Sequence, residues 1–172
     1  MKSVKIVVSL VMIGLALAGC STVRPEQLSI TTEQREFVYE YTAPAKSQKD
    51  LFRDARNYFA MAYGNSKDVS RVEDEGQGTI IGKAVAPWNF SIDSTILPFV
   101  PCASNYNIIF IAKDGKARLQ LTLLDGAAIT SCAWPLPPKQ DYPQIVRQFQ
   151  KISAGLGAAI DGQSDLDRLK QF

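Results

Sequence analysis

A two-residue turn constrains this chain most tightly. Asp114-Gly115 separates the apolar-rich runs Asn105–Lys113 and Lys116–Leu124, and an Asp-Gly pair between such runs is the strongest short-range signal for an antiparallel hairpin. In the second run Leu119, Leu121 and Leu123 fall on one side and Arg118, Gln120 and Thr122 on the other. That is the period of a strand with one buried face, and a sheet with one apolar face needs another layer to cover it.

The rest of the chain supplies both sheet and cover. Phe37, Tyr39 and Tyr41 alternate with Glu36, Val38 and Glu40, which predicts a first strand that Pro44 ends. Ser47 with Asp50 three residues later forms a variant helix N-cap box. Leu51, Phe52, Ala55, Tyr58, Phe59 and Ala62 then recur at helical spacing, with Gly64 at the left-handed position after the last turn. Val69–Glu75 and Thr79–Ala86 are expected as strands joined by Gly76-Gln77-Gly78. A second helix is expected from Asp141 to about Ala159, with Ile145, Val146, Phe149, Ile152 and Leu156 on one stripe and Pro143 in its first turn. The fold class is α+β: a five-stranded antiparallel sheet with two helices on one face, in the order strand, helix, four strands, helix.

The first residues divide into zones of an export signal. Lys2 and Lys5 make a basic start, and Ile6–Leu17 an apolar run shorter than the roughly 20 residues of a stable transmembrane helix. Leu17-Ala18-Gly19-Cys20 resembles the lipobox of bacterial lipoproteins. The competing reading, an ordinary secretory signal, leaves Cys20 without a partner in an oxidising compartment. The lipobox resemblance implies cleavage before Cys20, diacylglycerol on its thiol, three acyl chains such as palmitate on the mature residue as a whole, and a membrane anchor well beyond the marginal one-chain regime. Ser21 after the cysteine implies the outer membrane, with the domain in the periplasm or at the surface. The expected organisation is thus a signal over 1–19, a lipidated cysteine and flexible tether over 20–35, a domain over 36–160 and a tail over 161–172.

Cleavage would remove two lysines and leave 17 basic against 17 acidic residues. A neutral domain offers no general electrostatic case for nucleic acid as a partner. The absence of histidine excludes imidazole acid–base catalysis and the common histidine-containing zinc sites, and no cofactor or metal is expected beyond the lipid on Cys20. Carboxylates remain: Glu73, Asp74 and Glu75 precede the glycine turn, and paired carboxylates cleave glycosidic bonds. Strand alternation points Asp74 away from its neighbours, so a solvated hairpin end is the commoner reading.

Val72–Lys83, Tyr106–Phe110 and Lys113–Lys116, with the helix start Ser47–Phe52, look like motifs of an uncharacterised bacterial family described as having a TATA-box-binding-protein-like (TBP-like) fold. The resemblance covers about Glu36 to Ala159 and implies the fold just derived, but no reaction.

Cys102 and Cys132 are the only other cysteines, and in an exported chain a disulfide is the sensible expectation. They lie unevenly about the Asp114-Gly115 turn, so a bulge or strand end must absorb the offset. A redox or metal role lacks a CxxC spacing. The bridge would gather two aromatic, proline-rich loops, one with Trp88, Phe90, Leu97 and Phe99, the other with Trp134, Pro135, Leu136 and Pro137. Trp88, Phe90, Phe99 and Trp134 are candidate partner-binding residues, because rigid aromatics on loops anchor protein, glycan or lipid at small entropic cost. The plainer reading, that these loops complete the core, is favoured. The functional expectation is a non-enzymatic, membrane-anchored binding or scaffolding module contacting an envelope protein or cell-wall component; the alternative is a carboxylate-dependent hydrolase of envelope polysaccharide.

Overall fold

A computed structural model describes residues 28–64, 72–91, 99–127, 132, 134 and 136–163. The signal, Cys20, the first part of the tether, the start of the second strand, Leu97, Pro135 and the last nine residues lie outside these.

The elements are β1 (Glu36–Thr42), α1 (Gln48–Ala62), β2 (Val72–Asp74), β3 (Thr79–Ser91), β4 (Phe99–Lys113), β5 (Lys116–Ala127) and α2 (Tyr142–Ile160). The strands form one antiparallel sheet in the order β1-β5-β4-β3-β2, and both helices cover one of its faces. That is the α+β architecture read from the sequence.

The boundary signals of α1 have structural counterparts. Ser47 caps α1, its Oγ accepting the Asp50 amide at 3.2 Å while donating to Asp50 Oδ2 at 2.7 Å. Gly64 adopts φ 64° just past the helix, a region closed to most side chains. The core lies between the sheet and the helices: Phe37, Tyr106, Ile108, Phe110, Leu119 and Leu121 from the strands meet Leu51, Phe59, Ile145, Phe149 and Leu156. Phe149 sits edge-on to Phe37 with centroids 5.1 Å apart, and 4.9 Å from Tyr106.

Two expectations need correction. The Pro-rich stretch Pro87–Ala103 is mostly strand, since β3 and β4 stay in register from Thr79↔Ile111 to Ser91↔Phe99. Pro87 is tolerated because, among the described residues, β2 flanks β3 only as far as Ile81, and a proline sits in a strand where its missing N–H faces an open edge. The tether, expected to run to residue 35, is docked from Leu28. Ser29 bridges to Pro138, Ile30 donates its amide to Pro137 O at 3.1 Å, and the Ile30 side chain is buried in the core. One isoleucine in a polar stretch is enough to fasten it, since full burial of such a side chain is worth about 1.5–3 kcal/mol.

Candidate functional site

The aromatic cluster is built where β3, β4 and the segment after β5 meet. Cys102 and Cys132 form a disulfide with Cα atoms 5.3 Å apart. The offset between them is absorbed as required: β4 and β5 change register between Ser104 and Tyr106, where Gly126 turns at φ 102°. Trp88, the Cα partner of Cys102, points to the helix side, is only 2% exposed and donates its indole N–H to Ser104 Oγ at 3.0 Å. The expectation of Trp88 as a partner-binding residue is corrected by this burial: once β3 extends through Pro87, alternation turns Trp88 inward. Phe90 stacks on Trp134 at 5.4 Å, and both are half-buried against the core. Phe99 alone stands out, at 53% exposed. The four aromatics therefore do not form one exposed surface.

The acidic triplet is equally committed. Glu73 pairs with Arg56 and Glu75 with Lys49, each at 3.1 Å. Asp74 Oδ1 accepts the Gln77 amide at 2.9 Å within the turn. Glu73 and Glu75 thus reach toward α1, while Asp74 stands opposite Thr79 on the other side of the strand. The structure does not bring two of these carboxylates to one cleft, and among the described residues no group of three or more acidic or cysteine side chains is placed to hold a metal ion.

The sequence motifs instead meet at one corner, around the start of α1. Asp114 Oδ1 accepts the Gln48 amide at 2.7 Å, Gly115 donates its amide to Lys46 O at 2.9 Å, and Ala43 donates to Gly115 O at 2.8 Å. From Gln48, the side-chain amide donates to Gly76 O at 3.0 Å in the other hairpin turn. Gly78 has φ 63° and lies so close that an added Cβ would stand 2.7 Å from Ala112 O. These residues are fixed by architecture.

What remains accessible is the face of the sheet away from the helices. Val38, Gln120, Ile109, Ile81 and Val72 are successive cross-strand neighbours, making a nearly all-apolar row across the five strands. Val38, Val72, Ile81, Val85 and Ile111 on this face are 38–51% exposed. Beside the row, at the β4–β5 turn, a depression of about 290 Å³ is lined by Glu40, Tyr41, Thr42, Ile111, Lys113, Lys116, Ala117 and Arg118. Arg118 holds Glu40 through its Nε at 3.1 Å and Nη2 at 2.6 Å, both on Oε1. Sequence reasoning allowed for an open sheet face but singled out no residue on it. The available signal was consecutive apolar residues, Ile80-Ile81 and Ile108-Ile109-Phe110-Ile111, where a solvated strand would alternate.

Comparison with known proteins agrees with the topology. No curated protein matches the chain. A TBP-like protein from Parabacteroides distasonis ATCC 8503 superimposes with a TM-score of 0.53 at 12% identity, covering 73% of this chain and 92% of that one, a likeness of fold alone. A DUF4468 family protein from Bacteroides ovatus ATCC 8483 is 27% identical over 51% of this chain and 52% of its own, with a TM-score of 0.44, so this chain spans about half of that relative's length. The family model described as "Domain of unknown function (DUF4468) with TBP-like fold" matches residues 37–125, which run from the first strand through the β4–β5 hairpin. With half of its length matched by that model, the chain belongs to the DUF4468 family of TBP-like domains.

Proposed function

We propose that this protein is an envelope lipoprotein, anchored through lipid on Cys20, whose domain acts without catalysis as a binding module and docks an envelope protein or cell-wall component on its open sheet face. The observation that carries the reading is the exposed row from Val38 to Val72. Five β-branched side chains left partly bare on one rigid surface are what a docking site presents, since contiguous apolar patches on soluble domains mark interaction surfaces. The pairing of Glu73, Asp74 and Glu75 to other groups gives the hydrolase reading nothing to build on.

Two experiments test the halves of the proposal separately. Metabolic labelling with a fatty-acid probe should mark the native chain and fail on Cys20→Ala; continued labelling of the variant would sink the anchor. A photo-crosslinking amino acid placed at Ile81 in living cells should trap one defined partner, while the same group at exposed Ala60 on α1 should not. Equal trapping at both positions would remove the open face as the site.

A further inference from the structure

Of the four residues in Lys113-Asp114-Gly115-Lys116, two tie the turn to the helix and two carry charged side chains that meet no partner among the described residues. Asp114 and Gly115 clamp the turn to the start of α1. Lys113 and Lys116 are cross-strand partners on the open face, both exposed, and like charges directly opposite each other cost stability. Neither forms an ion pair or a side-chain hydrogen bond with any described residue; the Arg118–Glu40 pair is the salt bridge at this depression. Three cations thus surround a hollow with one carboxylate, and that carboxylate is already engaged.

We infer that this depression binds a sugar-sized anion, a molecule carrying one phosphate or carboxylate together with hydroxyl groups. Charge selects the anion: Lys113 and Lys116 supply two positive centres with no acidic partner among the described residues. Size selects the rest of the molecule. A hollow of about 290 Å³ holds roughly ten waters at about 30 Å³ each, far more than a bare phosphate fills. The lining matches a polyol: Thr42 offers a hydroxyl, Glu40 Oε2 is an acceptor left over after Oε1 takes Arg118, and Ile111 gives an apolar floor for C–H groups. Rigidity favours binding as well, because the turn carrying both lysines is fixed to α1 by the bonds from Asp114 and Gly115, and a preformed site loses little entropy when occupied. The site is distinct from the apolar row and stands whether or not a partner docks there.

The test is titration of the full-length protein in detergent, followed by the backbone amide signals of Thr42, Lys116 and Arg118. The probes are glucose 6-phosphate, glucuronate, glucose and inorganic phosphate at low salt. At least one of the two sugar anions should produce saturable shifts, weakened roughly tenfold by Lys113→Gln with Lys116→Gln, two charge contacts of ordinary strength being worth about that factor. Which of the two binds tells whether phosphate or carboxylate is preferred. Lys83→Gln, elsewhere on the same face, should leave the affinity unchanged. Glucose or inorganic phosphate binding as tightly as the sugar anions, an equal loss in Lys83→Gln, or no saturable shift with either sugar anion would overturn the site. None of these outcomes bears on crosslinking at Ile81, so the two surfaces fail independently.

Discussion

At the scale of single residues, the two glycines inside α2 separate helix propensity from packing. Gly155 lies against Tyr58, whose hydroxyl donates to Ile152 O at 2.9 Å, and a Cβ on Gly155 would stand 2.7 Å from the Tyr58 ring. Gly157 has ordinary room, with Tyr41 Cε1 at 3.5 Å from an added Cβ. Alanine in a helix gains up to about 1 kcal/mol over glycine, so Gly157→Ala should raise the denaturation midpoint. Gly155→Ala should lower it, by about 1–3 kcal/mol, because the packed ring must move. Opposite signs from two neighbouring substitutions, read by urea unfolding, check the packing; equal signs would show that the helices do not meet there. The sequence placed Gly155-Leu156-Gly157 inside a helix, but its period cannot tell which glycine faces a neighbouring ring. Trp88 was legible only in part: the favoured reading placed its loop in the core, but the residue is buried by a strand continuing through Pro87, which local propensity argues against.

Among elements, the junction at the start of α1 ties two hairpin turns to one helix end. Asp114→Ala removes the acceptor for the Gln48 amide and should cost about 0.5–2 kcal/mol, the range of a lost helix cap, measured as a shift in thermal midpoint. The docked segment before β1 carries a pH dependence. Hydrogen bonding from its own amide, against an opposing effect of burial and with added help from the Thr31 amide, Lys139 and the Thr32 amide, brings the Glu33 carboxyl down to about 2. A carboxylate with a depressed pKa stabilises above its unfolded value and loses that contribution as pH falls through the folded one. Protection of the Thr31 and Thr32 amides, relative to their intrinsic exchange rates, should therefore hold above about pH 4.5 and fall toward pH 2; protection unchanged across that window would dissociate Glu33 from the docking. The hairpins and both helices were legible because turn chemistry and period agree there. Docking of Leu28–Ile30 was not, since it rests on one buried side chain and a single bridge to Pro138, 109 positions away.

For the whole molecule, the disulfide and the tyrosines set the limits of stability. Cys102–Cys132 closes a separation of 30 residues, so reduction should remove roughly 3–4 kcal/mol in the chain-entropy picture, seen as a lower denaturant midpoint in reductant; an unchanged midpoint would mean the bridge is not formed in the purified protein. All six tyrosines have hydroxyls shifted upward by burial, Tyr41 to about 12 with Ser153 bonding partly offsetting the rise. An acid group raised in the folded state stabilises fully below its unfolded pKa and loses that as pH rises through the folded value. Phenolate absorbance should therefore stay low past pH 10 and appear together with unfolding; six independent titrations near pH 10 would contradict the burial. The overall architecture was readable from pattern, and two helices on one side already left the other side open; which residues lie bare there was not readable, because period reports that a residue is apolar and not whether anything covers it. Finally, the chain enters the domain at Leu28, beside Pro137 and Lys139, while Lys113 and Lys116 lie at the far end of the β1–β5 ladder. Only eight residue steps separate Cys20 from Leu28, at most about 28 Å, and the ladder adds roughly 20 Å beyond. A domain leashed at Cys20 would thus have a membrane-proximal pole and a distal one, holding its basic corner out toward whatever passes through the compartment.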